Sequence, residues 1–381
     1  MPPVYYHSGN FPPREIDWLR LVPLLTPTAL AVARLDGILQ TIPNVKLLLS
    51  PLLKQEAVLS SRIEGTQATL QELFQYESGI DRKRFSPEKL EDLKEIQNYR
   101  NALEYATEKM EELPICNRLL CETHCVLLDS VRGEDKARGK FRTQQNFIGS
   151  YGDSIETARF IPIAPTEIRQ AMGEWERFVN ADFEDVFVQA AVAHAEFEAI
   201  HPFLDGNGRI GRMMIPLFLY QKKILKSPTF YISEYFEKNR QQYVDHLLAV
   251  SQNNSWTEWC MFFLEAVKCQ AEIDLTRAVT LIELYQRSKE SFAQIIKSNT
   301  LIFILDFLYH SPYFTISQAV EYVSRYCNTS SASIRRHING LRKNGIVKVT
   351  QEQLGRNAEK FVFTELAEVT GQFDYYTRKK P

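Results

Sequence analysis

The 381-residue sequence has no CxxC pair, and its six cysteines are scattered. Cys116, Cys121 and Cys125 with His124 form the one cluster worth weighing as a metal site, but no second ligand pair follows at zinc spacing. The thiols therefore read as buried and reduced in a cytosolic protein. A long apolar run is also missing. The longest, Leu21 to Ala33, lies between two arginines and contains Pro23 and Pro27, whereas a membrane span needs roughly twenty apolar residues. The opening MPPVYYHSGNFPP has no basic n-region and no apolar h-region, so neither a signal peptide nor membrane association is expected, and a cytoplasmic location is. No repeat, low-complexity tract or GxxxxGK(S/T) phosphate loop occurs. Charge of one sign is scarce too: the net charge is −2, so no whole-protein basic field advertises nucleic acid.

What is present is an ordinary globular composition, 44% hydrophobic and 24% charged, which excludes a mostly disordered chain. The length leaves room for two or three domains. The near-neutral average hides an asymmetry, because Ser331 to Pro381 carries ten Lys/Arg against five Asp/Glu. A helical period dominates from about residue 27 to 290. Pro51 opens LLKQEAVLSSRIEG, which stops at Gly65; Ser86-Pro87-Glu88 starts a second helix, and a third follows Pro114. From Gly139 to Pro165 the period fades, and RTQQNFIGSYGDSIETARFIPI reads as a short hairpin looping around Gly149–Asp153. Helices resume at Pro165, continue through Glu184 to Ile200, and restart at Arg209 after a short loop. Residues 298 to 366 give three helices and then two alternating strands, the order of a winged helix-turn-helix.

The loop from His201 to Arg212, HPFLDGNGRIGR, concentrates the chemistry. Gly206, Asn207 and Gly208 can aim successive backbone N–H groups at one point before a helix, which is an anion site. Arg209 and Arg212, three apart, share a helix face and suit a polyphosphate. Asp205 beside them can hold a Mg²⁺ that bridges phosphates. His201 is the general-base candidate. Glu198-x-x-His201 also matches half of a di-iron carboxylate site, but no other histidine has a glutamate three residues before it. The parts imply nucleotide chemistry.

HPFLDGNGRIGR is similar to the HPFx(D/E)GNGRxxR signature of the Fic family, with every motif position filled. LLKQEAVLSSRIEGTQATLQELF resembles the N-terminal segment of one Fic subclass, with its inhibitory (S/T)xxxE(G/N) motif as Ser60, Glu64 and Gly65. GKFRTQQNFIG and RFIPIAP resemble the family's flap, and the winged tail recurs in the subclass; the resemblance covers about residues 40 to 365. It implies a mainly α fold: an N-terminal helical region over 1–112 with an inhibitory helix at about 52–65, a Fic-type helical core over 113–290 with a small flap hairpin at about 141–163, and a winged helix-turn-helix domain over 298–381.

The activity implied is protein adenylyltransfer, from ATP with Mg²⁺ onto a Tyr, Thr or Ser hydroxyl of a target protein, with release of pyrophosphate. By resemblance His201 takes the hydroxyl proton, Asp205 holds the metal, Gly206–Gly208 with Asn207 form the anion hole, and Arg209 and Arg212 fix the β- and γ-phosphates. ISEYFEKNRQQYVDHL resembles the family segment in which Asn239 and Tyr243 approach the nucleoside. Glu64 would pair with Arg212, with Ser60 supporting the pairing, and so block the γ-phosphate position. The flap's open edge would accept a target strand. Self-modification and a homodimer are compatible with the resemblance. On the tail, Arg335, Arg336, Arg342, Lys343 and Arg356 suit phosphate contacts, while Glu352 and Glu359 dilute the charge, so both DNA and protein remain open as its partner. Two further readings fit the same residues: a DNA-binding regulator with a nucleotide-sensing Fic-like domain, and a Fic enzyme that removes AMP.

Overall fold

Proline starts, polar caps and glycine stops divide the chain into short helices, and a computed structural model describes residues 2–42, 44–79, 85–131, 136–149, 152–351 and 358–378. Strand β1 (Val4–Tyr5) precedes helices α1 (Trp18–Gln40), α2 (Val45–Leu48), α3 (Ser50–Ile63), α4 (Leu70–Glu77), α5 (Pro87–Lys109) and α6 (Asn117–Leu127). After β2 (Phe160–Ile161) come α7 (Ile168–Asn180), α8 (Val186–Ile200), α9 (Asn207–Gln221), α10 (Ser233–Lys238), α11 (Arg240–Asn253) and α12 (Trp256–Ile295). The tail adds α13 (Thr300–His310), β3 (Tyr313–Thr315), α14 (Ile316–Tyr326), α15 (Ser331–Lys343), β4 (Val347–Gln351), β5 (Lys360–Phe363) and α16 (Thr364–Arg378). The mainly α class is as expected. The chain clusters into two compact units, residues 1–37, 59–66 and 94–274 in one, residues 38–58, 67–93 and 275–381 in the other. These differ from the consecutive blocks read along the sequence, because α1, α3, α5 and α12 each contribute residues to both units.

The first unit is built around α8. Its sequence, VFVQAAVAHAEFEAI, is apolar on every side, and a helix with no polar face is a buried one. Asp185 caps it by accepting from the Phe187 and Val188 amides, and α7, α9 and α11 pack around it. The thirteen-residue apolar stretch of the sequence belongs to the longer α1, which by length and composition alone is able to cross a membrane and is about one-third buried here.

The flap hairpin is short. Among the described residues its two arms pair with each other through one antiparallel bridge, Ile148 to Phe160. The other edge of β2 pairs in parallel with β1, Val4 with Phe160 and Tyr5 with Ile161. The polar run before Ile148 bonds side chain to backbone instead of building a ladder: Gln145 Nε2 donates to the Pro162 carbonyl and Asn146 Nδ2 to that of Phe203. The outer edge of β2 thus holds the chain's own N-terminal strand.

In the second unit α13, α14 and α15 pack in succession, and β3, β5 and β4 form an antiparallel sheet in that order. Ile334, Ile338 and Leu341 of α15 are buried, which leaves Arg335, Arg336 and Lys343 on its exposed face. Arg342 pairs with Glu359 at 3.0 Å. Glu352 and Arg356 lie outside the described residues.

Candidate active site

The site is assembled where α8 ends and α9 begins. His201 closes α8 in the left-handed region (φ 51°, ψ 60°), a conformation that costs energy for a residue with a side chain. Gly206, with φ 77°, turns the chain into α9, whose first amides have no carbonyl four residues back to bond. Three side chains hold the loop between them. Asn207 spends both ends of its amide on Phe203, accepting from the backbone N–H at 2.8 Å and donating to the carbonyl at 2.8 Å. His124 stacks on the Phe203 ring at 3.9 Å, accepts from the Gly139 amide at Nδ1 and donates from Nε2 to the Asp205 carbonyl. Burial pushes its pKa down to about 4, so the ring is neutral. Arg142, fully buried, donates to the carbonyls of Ile200, His201, Gln144 and Ile163, tying the end of α8 to the flap.

This scaffold lines a cleft of about 190 Å³ with Glu64, Ile148, Phe160, Glu198, His201, Gly208, Arg212, Tyr243 and Leu247 among its walls. His201 Nδ1 lies 3.2 Å from the Glu198 carbonyl. A carbonyl can only accept, so Nδ1 carries the proton and Nε2 keeps its lone pair. Burial lowers the imidazole pKa to about 4, which keeps the ring in the form that can take a proton.

Arg212 is 1% exposed at its side chain and is held from three sides. Nε donates to Ser60 Oγ at 3.0 Å, while Nη2 donates to the Ser60 carbonyl at 2.8 Å and to Glu64 Oε1 at 2.6 Å. Burial opposes the charge on both partners, but their attraction prevails: the Glu64 carboxyl is held below its usual range and the Arg212 guanidinium above its own. Glu64 sits just past the end of α3, and Gly65 after it takes a left-handed φ of 109°. Any Cβ at Gly208 would come within 2.3 Å of Glu64 Oε1 and 2.8 Å of an Arg212 nitrogen, so the carboxylate rests against the first turn of α9.

The other expected residues are placed differently. Arg209 does not line the cleft; it bonds the buried Glu95 of α5 at 3.2 Å and Asp205 at 3.3 Å. Asp205 also accepts from the Gly206 amide and lies 3.6 Å from Lys136. Tyr243 is buried in the cleft wall, with its hydroxyl 2.9 Å from His194 Nε2, whereas Asn239 joins α10 to α11 by donating to the Tyr235 carbonyl and stands outside the cleft lining. Asn207 acts through its loop, not as a side chain in the cleft. The sequence reading missed Arg142, which has no local signal, and weighed His124 and Glu198 only as metal ligands. Among the described residues no three His, Cys, Asp or Glu side chains gather as a metal group. Asp205 offers a single, 30% exposed carboxylate, which fits a Mg²⁺ taking its remaining ligands from phosphate oxygens and water.

Two family models match the chain: that of the Fic/DOC family N-terminal region over residues 22–108 and that of the Fic/DOC family over residues 114–219, about half of the sequence together. The chain is 27% identical over 116 residues to the protein adenylyltransferase fic-1 of Caenorhabditis briggsae, a stretch covering 27% of this chain and 21% of that protein. It is 32% identical over 84 residues to the protein adenylyltransferase Fic of Drosophila melanogaster, covering 21% of this chain and 15% of that one. The matched stretches thus span about a fifth or less of these curated relatives. Among solved structures, a Fic family protein from Desulfovibrio desulfuricans superposes with a TM-score of 0.51 at 18% identity, over 89% of this chain and 96% of that one. A Fic domain containing signaling protein from Bacteroides thetaiotaomicron gives 0.54 at 17% identity, over 68% and 97%. At such identity the likeness is one of fold.

Proposed function

Because the chain belongs to the Fic/DOC family, we propose that it is a protein adenylyltransferase that moves AMP from ATP to a hydroxyl of a target protein. The observation that carries this reading is His201: its Nδ1–H is spent on the Glu198 carbonyl, and its basic Nε2 belongs to the same cleft as Arg212 and the start of α9. Nε2 takes the proton of the acceptor hydroxyl as that oxygen bonds the α-phosphorus, and the bond to the pyrophosphate oxygen breaks. The Nδ1–H to carbonyl bond steadies the imidazolium that forms. The first amides of α9 and the Arg212 guanidinium bind the phosphates. Asp205 is the residue that would hold Mg²⁺, which when bound neutralises phosphate charge. Arg142, His124 and Asn207 keep His201 and α9 in register.

Glu64 makes the resting chain weak, since it holds the arginine that the γ-phosphate needs and rests where the phosphates approach. The tail is read as a winged helix, its basic α15 face contacting DNA or another protein. The test is intact-mass measurement of the Glu64→Gly chain after incubation with ATP and Mg²⁺. A gain of one AMP is expected, and none when His201→Ala is added. Equal gain with and without the histidine would refute the assignment.

A further inference from the structure

Most titratable side chains lining the cleft are already committed. Arg159 pairs with Asp245, Arg240 donates to the Ile63 carbonyl, and the Tyr243 hydroxyl meets His194. Glu198 differs. Its Oε1 is buried with no hydrogen-bond partner among the described residues, while the side chain as a whole is half-buried in the cleft wall. The carboxyl fits there because residue 211 is glycine: a Cβ at that position would lie 2.2 Å from Oε1. Burial raises the Glu198 pKa to about 8, so the group is mostly neutral and can both donate and accept.

A ligand filling the cleft would strip the remaining water from this carboxyl, and an unpaired polar group so buried is costly. The ligand must therefore bring it a partner. Along α8 the rise per residue sets Glu198 ~4.5 Å and Ala195 ~9 Å from His201. The same cleft is lined by Gly208 and Arg212 of α9 and by the apolar Ala195, Leu247 and Leu248, and along α8 Glu198 stands between His201 and Ala195. In a nucleotide the sugar is what lies between the phosphates and the flat base. Phosphate oxygens only accept and are matched by α9 and Arg212, whereas sugar hydroxyls donate and accept, as a carboxyl does.

We propose that the Glu198 carboxyl binds the ribose hydroxyls of the nucleotide and selects ribonucleotides over deoxyribonucleotides, an inference that rests on the nucleotide reading of the cleft. The test is calorimetric binding of ATP, 2′-deoxy-ATP and 3′-deoxy-ATP to the full chain carrying Glu64→Gly. ATP should bind on the order of tenfold tighter than at least one deoxy analogue, the worth of one such hydrogen bond. Glu198→Leu should bring the three affinities together, and Glu198→Gln, which still hydrogen-bonds, should keep a preference. Should the leucine chain not fold, Gly211→Ala, which displaces the carboxyl, should narrow the ratio. A ribose preference unchanged by Glu198→Leu or by Gly211→Ala would overturn the role of Glu198. If the Glu64→Gly chain binds none of the three nucleotides, the nucleotide reading fails first, and this inference with it.

Discussion

Replacing Glu64 by glycine separates two quantities that the resting structure couples. The carboxylate contributes one charge-assisted bond of 2.6 Å to Arg212, and the remaining bonds, to Ser60 Oγ and the Ser60 carbonyl, stay in the variant. The guanidinium should therefore keep its position and present one freed Nη2–H to a phosphate. Hydrogen bonds to charged groups are worth about 1.5–3 kcal/mol. Glu64 is 40% exposed at its side chain, so solvent screening places its share near the lower figure. A nucleotide that no longer displaces this bond should bind on the order of tenfold more tightly. AMP incorporation at sub-saturating ATP should rise at least as much, because the carboxylate also leaves the mouth of α9. The apo chain should lose about 1–2 kcal/mol, since a buried cation gives up one partner. The assay pairs ATP affinity with the initial rate of incorporation from α-labelled ATP, in Glu64→Gly, Arg212→Ala and the double variant. Refutation is specific: if Glu64→Gly strengthens ATP binding equally with and without Arg212, the pairing is not what weakens the resting chain.

Acid should destabilise this fold through its buried histidines. His124 and His201 are held at about 4 and His194 at about 3, all by burial, against about 6.5 unfolded. The unfolded chain takes up these protons first, so the stability of the neutral rings is complete above pH 6.5 and drains as pH falls toward 4. Glu198 runs the other way: its raised pKa means stability is lost as pH climbs from about 4.5 to 8. Melting temperature should fall between pH 6.5 and 4.5, and Glu198→Gln should gain on the wild type between pH 5 and 8; a flat profile for both would contradict the burial of these groups. Arg142→Lys should lower AMP transfer while leaving ATP affinity within a few-fold, because one ammonium cannot serve four carbonyls. Wild-type transfer rates in that variant would show that the tie between α8 and the flap is dispensable.

Much of this was legible where the physics is local. The helical period placed α8 within Glu184 to Ile200, and proline and glycine punctuation placed α3 and α5. Local rules fell short for α1, which starts at Trp18 although the helical period is evident only from about residue 27, beyond Pro23. Pro23 and Pro27 both lie on its exposed side, where a carbonyl without its N–H partner is open to water, so the helix continues through them. They failed again for β1, which finds β2 more than 150 residues away, and for Arg142, whose four carbonyl partners give no sequence pattern.

The motif itself illustrates the boundary most sharply. Arg209 and Arg212 share one face of one helix and, by spacing alone, invite the same phosphate role. Their partners differ, and with them the role we propose for each. Arg209 faces Glu95, whose side chain is 8% exposed, and two buried charges are costly to part. Arg212 faces Glu64, which at 40% exposure can return to water at little cost when a phosphate arrives. The exchangeable arginine is thus the one whose carboxylate has somewhere to go. Both carboxylates come from elements more than a hundred residues earlier, α5 and the end of α3, so the distinction exists only once the chain has folded.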